Sequence, residues 1–174
     1  DEWPTAAELA GLDPRLVANL DKVRDAADAN WFGNDTLWRT IVDLNKILRY
    51  GRPDGTLGAA PQRRYLAVVD GIQGSEGSGP TNGALRSDGL LIAGTDPVHV
   101  DTVATTVMGF DWRAFPHIAR AYGVSPAVRI TDQGPDSITV TGRPDAFLAW
   151  QRLRRDQSLA YEAAPGWITR VELA

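Results

Sequence analysis

Four carboxylates in two short segments could carry chemistry. Asp70 and Glu76 sit in the glycine-rich stretch "VVDGIQGSEGSGPTNG", residues 68–83, and Asp96 and Asp101 stand five apart in "GTDPVHVDTVA". Glu76 lies between residues that hold it with little local structure. A glutamate so placed could be a general base or a ligand to a hard cation, which takes oxygen donors. The plainer alternative is that it caps a turn or pairs with an arginine in solvent. Asp96 has an ordinary role open to it, as the N-cap of a following helix. Asp101 falls at the border of the apolar stripe formed by Val98, Val100, Val103, Ala104 and Val107 on a helix. A half-buried carboxylate there needs a partner. A metal, a ligand group, an arginine and a backbone donor are all open.

If Asp70, Glu76, Asp96 and Asp101 converge, their charges repel unless a cation or a shared proton intervenes. The expected site is a divalent metal on Asp70, Glu76 and Asp96, or a protonated carboxyl pair, facing a small polar molecule. Glu76 and Asp101 are the catalytic candidates, either of them as acid/base or metal ligand. His99 and His117 each lack a second histidine nearby and read as structural or surface residues. No HExxH and no GxSxG occurs.

The elements that must position these groups can be read locally. "DPRLVANLDKVRDAADAN", residues 13–30, predicts a helix capped by Asp13. Residues 34–51 predict a second, with Leu37, Ile41, Leu44 and Leu48 on one stripe, Asn34 or Asp35 as cap and Gly51 as terminator. "RYLAVVDGI" and "GLLIAGTD" read as strands. Both look buried on two faces, the pattern of parallel strands. Asp96 and Pro97 open a helix that runs to Phe110, and residues 112–123 predict another, broken at Pro116. Residues 127–132 and 137–142 suggest a hairpin, 144–157 a helix whose Arg152, Arg154 and Arg155 form a solvated basic face or a docking face, and 166–174 a strand. The expected fold is α/β, a mixed, partly parallel sheet covered by helices, in a single domain over residues 1–174.

In such folds ligands sit beyond the carboxyl ends of strands, which is where Asp70 and the glycines fall. Gly71, Gly74, Gly77 and Gly79 allow close approach to the main chain, and successive N–H groups can form an anion nest. No GK[ST] follows, and no GxGxxG opens a helix, so neither a phosphate loop nor a dinucleotide fingerprint is present.

The bulk numbers narrow the classes. A net charge of −4 argues against a nucleic-acid surface. The absence of cysteine excludes disulfides and cysteine-ligated clusters within this chain. No apolar run approaches the roughly 18 residues of a membrane span, and the start has no signal-peptide order. A cytoplasmic setting is expected. Of the 18 basic residues only Lys22 and Lys46 are lysine. The arginine fork suits carboxylate or phosphate, although GC-rich coding explains the bias as simply. The chain does not begin with methionine, as expected of a portion of something longer.

The segments "WFGNDTLWRTIVDLNKIL", "VVDGIQGSEGSGPTNG", "GLLIAGTDPVHVDTVATTVMGFD" and "APGWITRVEL" resemble the second half of the family called domain of unknown function 362. The resemblance covers residues 31–118 and the tail near Trp167. It implies an α/β fold, with Asp43, Asn45, Asp70, Glu76, Asp96 and Asp101 at motif positions. Asp70, Gly77, Gly79, Asn82 and Asn45 are the expected ligand-binding residues. Some members carry a ferredoxin-like module with cysteine-ligated clusters, for which this chain has no residues. Many have a longer amino-terminal half that has no counterpart here.

Three functional classes remain open. One is a small-molecule enzyme with a carboxylate-lined cleft. A second is a noncatalytic module that binds a ligand or partner. The third is a half-protein completed by a second chain, which exposed apolar surface would favour.

Overall fold

The computed structural model describes residues 32–79 and 82–174. The chain divides into two units, Asp1–Asn34 and Asp35–Ala174. Every helix and strand among the described residues belongs to the second unit. The helix expected over residues 13–30 lies outside the described residues.

Helix α1 spans Leu37–Tyr50. The sequence places its cap at Asn34 or Asp35, whereas the flanking residue is Thr36, whose side chain makes no capping bond. Asp35 instead accepts from Trp38 Nε1 at 2.9 Å and Arg39 Nη2 at 2.7 Å. Gly51 ends the helix as the sequence predicts, its N–H donating to Ile47 O at 2.8 Å. Val42 and Tyr50 are the buried positions. Leu37, Leu44 and Leu48 of the expected stripe are 50%, 60% and 46% exposed. The apolar periodicity is there, but this unit leaves most of it uncovered.

Strands β1 (Ala67–Gly71), β2 (Gly74–Ser78), β3 (Asn82–Arg86) and β4 (Leu90–Gly94) follow. β1 pairs antiparallel with β4, Val69 opposite Ile92. Nested between them, β2 pairs antiparallel with β3, Glu76 opposite Ala84. The fold is mixed α/β, and the partly parallel sheet expected from sequence is corrected to two antiparallel pairs. A parallel return needs a crossover of about a dozen residues or more, usually through a helix. Here the glycine-rich stretch folds into a hairpin of its own and sends the chain straight back. The helix that follows β4, α2 (Pro97–Met108), packs against β1 and β4. Burial alternates along both strands, leaving Val68 and Leu91 58% and 61% exposed.

Helix α2 is the centre of the unit. Asp96 caps it, accepting from Val98 N at 3.0 Å and His99 N at 3.2 Å. Pro97 supplies the first turn, and Gly109 at φ +99° closes the other end in the left-handed region that favours glycine. The expected stripe is buried in full, and Thr102 and Thr106 are buried beside it. Their hydroxyls donate to the carbonyls of Val98 and Thr102 at 2.7 and 2.8 Å, which removes the cost of burying them.

Beyond α2 the chain turns through a 3₁₀ segment at Trp112–Ala114, helix α3 (Pro116–Ala119) and a further turn at Ala121–Gly123. The break at Pro116 is as predicted. Three later expectations are corrected. Residues 127–132 and 137–142 form no hairpin strands; 3₁₀ turns at Pro126–Val128 and Pro135–Ser137 stand there. The helix over 144–157 is three separate turns, Asp145–Phe147, Trp150–Arg152 and Arg155–Gln157. The strand over 166–174 reduces to one bridge, Phe110 to Glu172. What these segments contribute is single apolar anchors. Ile130, Ile138 and Trp150 join Val42, Val98, Val103, Val107, Trp112 and Ile118 in one core. Phe110, Tyr161, Ala163 and Val171 make a second. Among the described residues no helix is long and apolar enough to cross a membrane.

Candidate functional site

The β2–β3 hairpin sets Glu76 and Arg86 on one face as diagonal neighbours. Arg86 Nη1 donates to Glu76 Oε2 at 3.1 Å, and Nη2 to Asp88 Oδ1 at 3.1 Å and Leu159 O at 2.9 Å. Glu76 Oε2 also accepts from Glu162 N at 2.8 Å. The Tyr161 hydroxyl donates to Asp88 Oδ2 at 2.6 Å, and its ring lies 4.6 Å below the Arg86 guanidinium. The Tyr161 bond, then Arg86, hold Asp88 below the usual carboxylate range. Burial, then Asp88, push the Tyr161 phenol up to about 12. Of the roles the sequence leaves open for Glu76, this geometry supplies the arginine partner.

Of the remaining loop candidates Gly77, Gly79 and Asn82 belong to the same hairpin, and Asp70 to β1. Gly77 adopts φ +73°, and its N–H donates to Glu162 O at 3.1 Å. A Cβ on Gly79 would stand 3.1 Å from Ser75 Oγ. Asn82 is exposed at the start of β3, opposite Ser78. Asp70 is exposed on β1 and accepts from Ile72 N at 3.2 Å. Asp70, Glu76 and Asp96 are not brought together. Among the described residues no group of three His, Cys, Asp or Glu stands where it could hold a metal ion.

Asp96 lies elsewhere, in a cleft of about 320 Å³ between β4, α2 and residues 137–144. Its floor is apolar, with Val100, Val103 and Val107 of α2. At its polar end Thr95, Asp96 and His99 line the wall. Thr131 donates its hydroxyl to Asp96 Oδ2 at 2.6 Å. His99 Nε2 lies 3.2 Å from Gln133 O, 3.4 Å from Thr131 Oγ1 and 4.0 Å from Asp96 Oδ2. A carbonyl can only accept, so the contact with Gln133 O is a hydrogen bond in the tautomer that carries the ring proton on Nε2, and Nδ1 is then the accepting nitrogen. The imidazole stacks on Tyr122 at 6.2 Å and 27°.

Asp101 and Asn45 do share a wall. With His117 they line a pocket of about 30 Å³ between α1, α2 and α3, room for little more than an ordered water. Asp101 is exposed as a residue, yet desolvation raises its carboxyl pKa, and burial lowers the His117 pKa. Asn45 Nδ2 donates to Ile41 O at 2.9 Å.

Sequence reasoning passed over Thr131, Arg86, Asp88 and Tyr161, and set His99 aside. The turn-forming residues of "GSGPTNG" between two equal segments were the signal for a hairpin, and a hairpin brings Arg86 to Glu76. Nothing local announces Thr131 or Tyr161, whose partners lie 35 and 73 residues away.

No curated protein and no solved structure matches this chain. The sequence profile of the family described as domain of unknown function (DUF362) matches residues 14–106. It begins earlier than the resemblance over 31–118 and ends near the carboxyl end of α2. Matched over more than half of its length, this chain belongs to the DUF362 family.

Proposed function

We propose that this domain binds a small polar molecule in the cleft at the start of α2, and that His99 exchanges a proton with it. The observation that carries this reading is that Asp96 and His99 line a cleft of about 320 Å³ together with Val100, Val103 and Val107, with Thr131 bonded to Asp96 behind them. That volume lies at the low end of small-molecule sites, about 300 Å³ or more. Asp96 and Thr131 position the imidazole, and the valines exclude water from one side. In this reading Glu76 is a strut of the hairpin, and Asp101 lies outside the cleft. The cysteine-free sequence agrees with a cytoplasmic domain.

The test starts from a thermal-shift screen of small carboxylates, alcohols and amides. A hit should protect cleft amides such as Thr95 and Val100 in NMR. His99→Gln should abolish turnover of that compound while changing its affinity by less than about tenfold, a loss of a transition-state contact alone. A hit bound equally well away from the cleft, or turned over at the same rate by His99→Gln, would sink the proposal.

A second reading has its own observation. Leu44, Ile47 and Leu48 on α1 and Val68 and Leu91 on the β1–β4 pair are each 46–61% exposed. Surfaces of this kind mark interfaces, so a second chain could complete the fold. Concentration-dependent sedimentation of the purified protein separates this from a stable monomer.

A further inference from the structure

A second cavity, about 240 Å³, opens between the end of α1, residues 61–65 and the turn Thr95–Pro97. It is separate from the cleft of His99, sharing only Thr95 with it. Three arginines line it, Arg49, Arg63 and Arg64, and no Asp or Glu does.

The three arginines are not equivalent. Arg49 Nη2 is paired with Asp132 Oδ2 at 2.5 Å, and its Nη1 donates to Ile130 O. Arg63 Nη1 donates to the carbonyls of Leu48 and Gly51 at 2.9 and 2.8 Å, closing the end of α1. A carbonyl satisfies a donor without cancelling its charge. Arg64 makes no hydrogen bond or ion pair with the described residues, and neither does the half-buried Tyr65 beside it. Asp132 pairs with Arg49 alone, and the exposed Arg63 and Arg64 have no carboxylate partner among the described residues, in a chain whose net charge is −4. Two guanidinium charges are left uncompensated around a concave polar space that also holds Asn45 and Thr95.

We propose that this cavity binds an oxyanion, the carboxylate or phosphate group of a small molecule. Arg64 is the group that meets it, since its fork is free for two parallel bonds to such an anion. Arg63 and Arg49 set the positive field, and Tyr65 and Thr95 offer hydroxyl donors. The space is smaller than a cavity for a drug-sized ligand, as suits a single anionic head group.

The experiment titrates the folded protein with inorganic phosphate in one arm and succinate in the other, at fixed ionic strength, following backbone amides by NMR. Arg64→Gln is the variant, and Arg152→Gln, an exposed arginine outside the cavity, is the charge control. Saturable shifts at Asn45, Tyr65 and Thr95 are expected, with affinity about tenfold weaker in Arg64→Gln, the worth of one charge-assisted bond. Arg152→Gln should bind as the parent does. Tighter binding of one anion than the other names the source. The proposal is overturned if neither anion shifts those amides, or if both variants lose affinity equally, the mark of general screening. The amide and ring signals of His99 should not move in Arg64→Gln, so this proposal and that of the cleft can fail separately.

Discussion

Glu76 and Arg86 meet across the β2–β3 hairpin at 3.1 Å, and the same guanidinium holds Asp88 at 3.1 Å. One arginine thus serves as the ion-pair partner of two carboxylates whose side chains are only 16% and 11% exposed. Arg86→Leu strands both, and should cost about 3 kcal/mol in urea unfolding. Glu76→Gln keeps an oxygen for Glu162 N and should cost about 1 kcal/mol. The double variant should fall well short of the sum, since the two residues share one interaction.

Tyr161 should make stability fall in alkali. Its pKa, ordinarily 10, is pushed up to about 12, so the folded chain favours the neutral phenol. That contribution is whole below pH 10 and is lost as pH rises toward 12. In Tyr161→Phe the decline over that window should be shallower, as read from thermal midpoints. At the acid end Asp88, whose pKa is lowered, contributes stability that disappears as pH falls below 3.8.

Asp101 and His117 should pull in opposite directions. Burial raises the Asp101 pKa, so its charged form is a burden to the fold above that pKa and none below 3.8. Asp101→Asn should therefore stabilise the protein at neutral pH, with the gain vanishing as pH drops toward 3.8. His117, its pKa lowered by burial, stays neutral in the fold while the unfolded chain protonates below 6.5, so its effect is a loss of stability on acidification. His117→Gln should flatten that slope. Denaturant midpoints measured across this range check both.

Gly109 and Gly89 both have positive φ, +99° and +64°, but differ in space. A Cβ on Gly109 would stand 2.6 Å from Ser158 Oγ and 3.2 Å from Ala160 Cα, whereas one on Gly89 meets nothing within 4 Å. Gly89→Ala should cost about 1 kcal/mol in backbone strain alone. Gly109→Ala should cost about 2 kcal/mol or more, because it also pushes apart the end of α2 and the segment at Ser158. Urea midpoints of the two variants, measured side by side, check the difference.

What could be read from this sequence was local. The start of α2 follows from Asp96 and Pro97, residues whose capping and backbone preferences need no distant partner; its end at Met108, closed by Gly109, falls short of the Phe110 expected from sequence. The existence of α1, β1 and β4 follows from short apolar patterns of the same kind. The polarity of the sheet does not, because an apolar run of five residues reads alike in parallel and antiparallel pairs; the hairpin between β1 and β4 settled it. The runs after residue 126 also misled. Their apolar residues are single anchors placed in the core by turns, and a turn leaves no periodicity to read.

The carboxylates show the same division. The helix cap that Asp96 makes was among the roles legible in sequence, since the N–H groups it accepts from lie only two and three residues on. It could not tell whether Glu76 would find a cation, a ligand or Arg86, or that Thr131 would reach Asp96 and Arg64 would share a cavity with Arg49 and Thr95. A side chain's partners are set by how separate elements pack, through contacts whose cost and gain lie far apart along the chain. Residue type limits what a group can bond to, and only the tertiary structure decides which bond it makes.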